Sequence, residues 1–216
     1  MYLYNIHTHK AGPEEMNGYK VQYILNTSPG DFEDGILAPD NIRFSCGVHP
    51  WDAENAGGQL TRLNEVVRNK SILAIGEAGL DKLKGPDMKI QENVFRQQIE
   101  LAMSVNKPLI IHCVKAWDLL MALHKEYKSD IPWIIHGYRG NADQTKQLVR
   151  FGFKFSVGEF FNEDAIRHIP IDSLFCETDI SEISICKVYE SISLVLGLLF
   201  NQFVEIVADN MSIISK

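Results

Sequence analysis

Short apolar runs recur along the chain, each broken off by a polar or glycine-containing turn. Met1–Asn5, Val21–Asn26, Ile42–Val48, Ile72–Gly76, Leu109–His112, Pro132–His136, Phe153–Val157 and Leu174–Glu177 read as eight strands. Runs this short and this apolar suit strands buried on both faces, as in a parallel sheet. Between them the period turns helical. Gln59–Asn69 sets Leu60, Leu63, Val66 and Val67 on one face, and Asp87–Asn106 sets Val94, Ile99, Leu101, Ala102 and Val105 on an apolar side before Asn106-Lys107-Pro108 ends it. Ala116–Tyr127 groups Leu119, Leu120, Leu123 and Tyr127. Asn141 can cap a helix through Phe151 that Gly152 closes. Glu163–His168 reads as a short helix stopped by Pro170, and Ile185–Ser215 as two helices broken near Gly197–Asn201. Strand–helix alternation implies parallel strands with helical crossovers. Eight such units predict a compact, closed (β/α)8 TIM barrel forming one domain over residues 1–216. A doubly wound open sheet is the runner-up, but it would want a Gly-rich first turn, which is absent. About 250 residues is typical of the barrel, so here the βα loops must be short and the active site open.

A barrel builds its site at the C-terminal ends of its strands. His7 and His9 lie at the end of the first predicted strand, His49 at the third, Glu77 at the fourth, His112 at the fifth, His136 at the sixth, and Glu177 and Asp179 at the eighth. Of seven histidines, five fall at strand ends; His124 and His168 fall on helices and read as exposed. His7 and His9 are two apart, so an extended backbone turns both imidazoles to one face. Glu77 would be costly to bury unless something positive meets it. A pair of metal ions held by His7, His9, Glu77, His112, His136 and Asp179 supplies that partner. Imidazole with carboxylate suits Zn²⁺, and also Mn²⁺ or Fe²⁺. Glu77 is central enough to bridge two ions, the arrangement that delivers an activated water to phosphorus or to a carbonyl carbon. Asp179 is expected as ligand and proton acceptor, with Glu177 beside it as a structural or supporting partner. His49 and Arg139 are expected to contact substrate phosphate. Trp51 and Tyr138 either stack on a base or pack under the loops.

Composition narrows the partners. The chain is 45% hydrophobic and 23% charged, ordinary for a globular protein, with a formal net charge of −7. That balance disfavours a protein that coats duplex DNA through a broad basic surface, but not a small phosphate pocket whose metal ions bring their own charge. Cys46, Cys113, Cys176 and Cys186 form no C-x-x-C pair and read as buried small residues in a reducing cytoplasm. No signal peptide is visible, and the longest apolar stretch, Leu194–Phe200, is too short to span a membrane. No obligate protein partner is evident.

The segments N-I-H-T-H, G-V-H-P-W, A-I-G-E-A-G-L-D, F-R-Q-Q-I-E-L-A, K-P-L-I-I-H-C, W-I-I-H-G-Y-R-G, G-F-K-F-S-V-G and F-C-E-T-D occur in that order across nearly the whole chain. Together they resemble the TatD-type metal-dependent deoxyribonucleases, within the wider amidohydrolase-like barrels. The resemblance implies His7, His9, Glu77, His112, His136 and Asp179 as dinuclear ligands, with Zn, Mg or Mn as the metal. It also implies 3′-directed nuclease or other phosphodiesterase activity on DNA ends. A lactonase or amidohydrolase acting on a small molecule is the alternative enzyme, and a catalytically silent binding protein of the same fold the alternative class. Three departures from the family stand out. Asn5 replaces a frequent Asp, H-G-Y-R-G replaces H-C-F-S-G, and the segment after Asp179 lacks the longer Pro- and Arg-containing loop.

Overall fold

The computed structural model describes residues 1–33 and 38–214. Eight strands pair in parallel and in chain order, with one small addition. They are β1 (Tyr2–Thr8), then after a two-residue β2 (Glu15–Met16), β3 (Tyr19–Thr27), β4 (Ile42–Cys46), β5 (Ile72–Asp81), β6 (Leu109–Val114), β7 (Trp133–Ile135), β8 (Lys154–Val157) and β9 (Leu174–Cys176). β2 pairs antiparallel with β3 and is the addition the hydrophobic pattern did not predict. The helices are α1 (Gly57–Val66), α2 (Met88–Val105), α3 (Trp117–Tyr127), α4 (Ala142–Phe151), α5 (Glu163–Ile166), α6 (Ile185–Leu196) and α7 (Phe200–Met211). The architecture is the expected (β/α)8 barrel, nearly closed.

Strand–helix alternation begins only after β4. Residues 9–18 carry β2 and its turns instead of a helix, and the described part of the β3–β4 connection holds none either. Both segments are rich in Gly, Pro and acidic residues and have no apolar period to bury. Pro50–Asn55 adds a 3-10 turn ahead of α1 that was not expected. The predicted helix bounds otherwise shift by a few residues, and Ser215, the expected end of the last helix, lies outside the described residues. The cap positions follow the sequence: Asn141 accepts the Gln144 N–H at the start of α4, and Gly152 takes the left-handed conformation at its end. No single helix among the described residues is long and apolar enough to cross a membrane.

The barrel interior is filled by Ile6, Ile24, Ala74, Ile110, Ile134 and Phe175, one from each of six strands, with Met211 and Ile214 closing its base. A larger apolar layer lies between strands and helices, with Phe95, Ile99, Leu120, Trp133, Phe153 and Tyr189 among its members. β1 and β9 form the last seam. At its lower end Tyr189 of α6 fills the gap: its hydroxyl accepts the Tyr4 N–H at 3.0 Å and donates to the Tyr4 carbonyl at 3.1 Å. At its upper end the strands join through a parallel bridge between Thr8 and Asp179, where Asp179 N–H donates to His7 O and His9 N–H to Asp179 O. Closure of the barrel therefore brings the first histidine pair against the last carboxylate.

One strand is longer than its sequence suggested. β5 does not stop at Gly76-Glu77 but runs on to Asp81, so Glu77 sits inside a strand and not at its end. Gly79 explains how. It approaches β6 so closely, at φ +147°, that a Cβ there would fall 2.1 Å from the His112 carbonyl oxygen. A side chain at that position would push the strands apart.

Candidate metal centre

Glu77 is the hub. Its carboxylate is almost fully buried, and its two oxygens face different groups. Oε2 lies 3.6 Å from His7 Nε2 and 3.6 Å from His9 Nε2, and Asp179 Oδ1 lies 3.6 and 3.5 Å from the same two nitrogens. Oε1 lies 2.7 Å from His112 Nδ1, 2.8 Å from His136 Nε2 and 3.2 Å from His49 Nε2. The six residues expected as ligands are thus brought together, and His49 joins them. Arg139 is not among them. It is exposed on the loop after β7, with its guanidinium 5.4 Å from the centroid of the Phe160 ring.

The spacings differ in kind. Hydrogen bonds from ring N–H to oxygen end near about 3.2 Å. Tetrahedral ligands about 2.1 Å from a common ion stand about 3.4 Å apart. His7, His9, Glu77 Oε2 and Asp179 have the second spacing. His7 is fully buried, and neither ring nitrogen has a hydrogen-bond partner. An unsatisfied buried polar group costs about 1–3 kcal/mol, which ligation at Nε2 would offset. The chemistry of the donors and this orphaned imidazole both fit a divalent cation. Among the described residues, groups able to hold one are His7, His9 and Asp179; His7, Glu77 and His136; His49, Glu77 and His112; and His136, Glu177 and Asp179.

The charges are tightly matched. Burial alone would raise the Glu77 carboxyl, but the imidazoles of His136, His112 and His49 outweigh it and hold that carboxyl far below the usual range. Burial alone would lower His136, yet Glu77 and Glu177 raise it well above an ordinary histidine. The nearby Glu77 carboxylate, with Asp179, raises His9 against the opposing effect of its partial burial. For Asp179 burial is again opposed, here by His7 and His136, which hold the carboxyl low. The raised pKa values of His9 and His136 mirror the lowered ones of Glu77 and Asp179. A metal ion binding there displaces protons.

Supporting residues set these positions. Asn26 Oδ1 accepts the Glu77 N–H at 2.8 Å. Glu177, fully buried, accepts the Gly137 N–H at 2.8 Å and lies 3.4 Å from His136 Nδ1. Asp81 lies 3.3 Å from His112 Nε2 and accepts the Trp51 indole N–H at 2.7 Å. Burial would raise its carboxyl, but Trp51, the Leu83 N–H and His112 hold it below the ordinary range. Two buried glutamines of α2, seven residues apart and so on one face, each clamp one backbone position. Gln98 bonds both N–H and C=O of Val48, just before His49, and Gln91 does the same for Asp81. Asn26, Asp81, Gln91 and Gln98 were not singled out in the sequence. A glutamine repeated at helix-face spacing was the one available signal.

Other expectations resolve simply. Tyr138 is buried with its hydroxyl on Thr145, so it packs under the loops and cannot stack on a base. Trp51 is exposed at the mouth with Lys84 Nζ 3.2 Å from its ring centroid. His124 is not exposed on its helix: it is half-buried against Phe153 and Trp133, with ring centroids at 4.6 and 5.0 Å, and burial lowers its pKa. Regular alternation predicts Asn5 beneath His7. The register slips between Asn5 and Thr8, and the Asn5 amide instead pairs with Thr178, donating to its hydroxyl at 2.7 Å and accepting its N–H at 3.1 Å.

A parallel barrel with a histidine–carboxylate cluster at its C-terminal mouth defines the class of metal-dependent hydrolases. A family model described as TatD related DNase matches residues 24–210, and the chain belongs to that family. It is 32% identical over 167 residues, 72% of its length and 63% of the relative's, to the uncharacterized metal-dependent hydrolase YcfH of Escherichia coli K12. It is 29% identical over 155 residues, 65% of its length and 58% of the relative's, to the 3′-5′ ssDNA/RNA exonuclease TatD of Edwardsiella piscicida. The chain spans a little under two thirds of the length of these relatives. Among solved structures, the TatD homologue YJJV of Escherichia coli K12 superposes with a TM-score of 0.82 at 20% identity, covering 98% of this chain and 97% of that one, which shows the shared fold.

Proposed function

We propose that this metal-dependent hydrolase cleaves phosphodiester bonds at accessible nucleic-acid ends, with a DNA 3′ end as the first candidate. The observation that carries the proposal is the divided Glu77 carboxylate, one oxygen facing His7, His9 and Asp179 and the other facing His49, His112 and His136. Two divalent ions would be held there by His7, His9, Glu77 and Asp179 on one side and by Glu77, His112 and His136 on the other. Two divalent ions bound there supply Lewis-acid polarisation of phosphoryl oxygens and an activated water. The chain's own residues do the rest. Asp179, at the mouth beside the histidine pair, takes the proton released as the nucleophile attacks. His49 Nε2 sets a hydrogen-bond donor on the cavity wall for a phosphate oxygen. Trp51 and Ile180 give the same cavity, about 400 Å³ in volume, an apolar rim that suits a nucleoside. The net charge of −7 fits a site that takes a chain end and disfavours one that tracks a duplex.

The test is a 3′-labelled single-stranded oligonucleotide incubated with Mg²⁺, Mn²⁺ or Zn²⁺, alongside elemental analysis of the reconstituted protein. Shortening from the end, with near two ions per chain, is expected. Turnover of a lactone or amide with no cleavage of any oligonucleotide or simple diester would replace this reading with an amidohydrolase.

A further inference from the structure

A second cavity, about 480 Å³, opens beside the centre between the loops that follow β6 and β7. It shares His112, His136 and Asp179 with the centre, and its outer wall carries Lys115, Trp117 and Arg139. Lys115 directly follows β6 in the left-handed conformation, at φ 53°, an uncommon state for a side chain of this size. Such a residue at a cavity rim calls for a functional reason. Among the described residues neither Lys115 nor Arg139 forms a salt bridge; Arg139 rests only over the Phe160 ring. The first cavity, on the other side of the centre, has no lysine or arginine in its wall and instead presents Trp51, Ser28 and Ile180. In a chain of net charge −7, Lys115 and Arg139 both line this one cavity, whereas on the other side Lys84 reaches only the outer face of Trp51 and lies outside the cavity wall.

We propose that the Lys115–Arg139 lobe binds the phosphate next to the scissile one in a nucleotide strand. This rests on the phosphodiesterase reading. A terminal nucleoside has no further phosphate and fits the lobe rimmed by Trp51 and Ile180, whose wall holds no lysine or arginine; the remainder of the strand carries one charge per residue and leaves over Lys115 and Arg139. Arginine can grip a phosphate through two parallel N–H bonds, and lysine adds a point charge. The lobe therefore makes the enzyme end-directed and makes a dinucleotide with one extra phosphate the smallest well-bound substrate.

The experiment measures equilibrium binding to the metal-loaded protein of thymidine dinucleotides joined by a phosphorothioate, which resists turnover. One carries no terminal phosphate, one a 5′ phosphate and one a 3′ phosphate. The added phosphate is expected to tighten Kd roughly tenfold at one end only. It is also expected to steepen the salt dependence by about 0.7 in log–log slope. Both gains are expected to fall below twofold and to zero slope in Lys115→Gln/Arg139→Gln, to be partly restored by Arg139→Lys, and to persist in Lys125→Gln on the exposed face of α3. No gain at either end, an equal gain at both, or a gain that survives the double substitution overturns the proposal; the single substitutions decide the matter if the double variant does not fold. The two readings separate cleanly. Oligonucleotide cleavage without the gain removes the lobe and keeps the nuclease. The gain without cleavage keeps the lobe and moves the chemistry to another phosphate-bearing substrate.

Discussion

The two halves of the centre are built from the same residue types but are spaced differently. On the β1–β9 side, His7, His9, Asp179 and one Glu77 oxygen stand 3.5–3.6 Å apart, too far to hydrogen-bond and right for ligands around an ion. On the β4–β7 side, His49, His112 and His136 close on the other oxygen at 2.7–3.2 Å, the range of charge-assisted hydrogen bonds. The first half lies at the bridge between β1 and β9, which fixes His7, His9 and Asp179 through main-chain bonds. The second half is also held by the backbone, His112 within β6 opposite Gly79 and His136 by its N–H to the Ile111 carbonyl, but its rings close directly on the carboxylate. An ion entering the first half finds its ligands already placed; one entering the second must displace hydrogen bonds and protons.

The largest expected effect comes from cutting the link between the halves. Glu77→Gln keeps the shape but removes the charge that both sides share. Hydrolysis is expected to fall by roughly 10²–10³-fold or more, on the scale of losing one preorganised electrostatic contact, with the melting transition retained. Activity within a few-fold of wild type would end the shared-carboxylate reading.

Metal titration sharpens the comparison next. Uptake is expected in two steps, the tighter removed by His7→Ala/His9→Ala and the weaker by His112→Ala, with a separation of roughly tenfold or more between them. A single step lost in both variants would mean that the halves act as one site. Because Glu77 holds a proton on His136, the weaker step is expected to release more protons and to strengthen more as pH rises.

The same contrast separates what the sequence made legible from what it hid. Glu77, the five strand-end histidines and Asp179 were readable because chemistry-bearing residues ended apolar runs, and a barrel gathers such ends at one face. The length of β5 was not readable, because Gly76 and Gly79 look like a turn, yet they are what a close approach to β6 requires. Gln91 and Gln98 were hidden in a helix, where glutamine ordinarily faces solvent, although both are buried clamps. The placement of Arg139 over Phe160, in the wall of the cavity beside the centre, depends on how the loop after β7 packs, a contact with no local signal.

Asn5 tests whether the seam and the first half are one unit. Its amide spans β1 and the segment after β9, against the residue that precedes Asp179. Asn5→Asp can still accept the Thr178 N–H, and it adds a negative charge near the His7–His9–Asp179 group. The tighter ion is expected to bind about tenfold more strongly, with the weaker step unmoved. Identical affinity at both steps would leave Asn5 as a seam residue alone.

The smallest effect comes from a histidine outside the centre. His9 and His136 have raised pKa values because carboxylates face them; His124, against Phe153 and Trp133, has a lowered one because burial is all that acts on it. The neutral ring is the form the fold accepts. As pH falls below about 6.5, the unfolded chain takes up a proton that the folded chain refuses, so His124 makes stability decline through that window, down to its folded pKa. One proton limits the slope to about 1.4 kcal/mol per pH unit, and a half-buried ring is expected to reach only part of it. His124→Phe keeps the aromatic packing and has nothing to titrate. Denaturant melts at pH 7.5 and 5.5 are expected to differ less for His124→Phe than for wild type, while metal uptake is unchanged. An equal acid loss in both proteins would remove His124 as its cause; His9 and His136, whose raised pKa values favour the folded state as pH falls, act in the opposite direction.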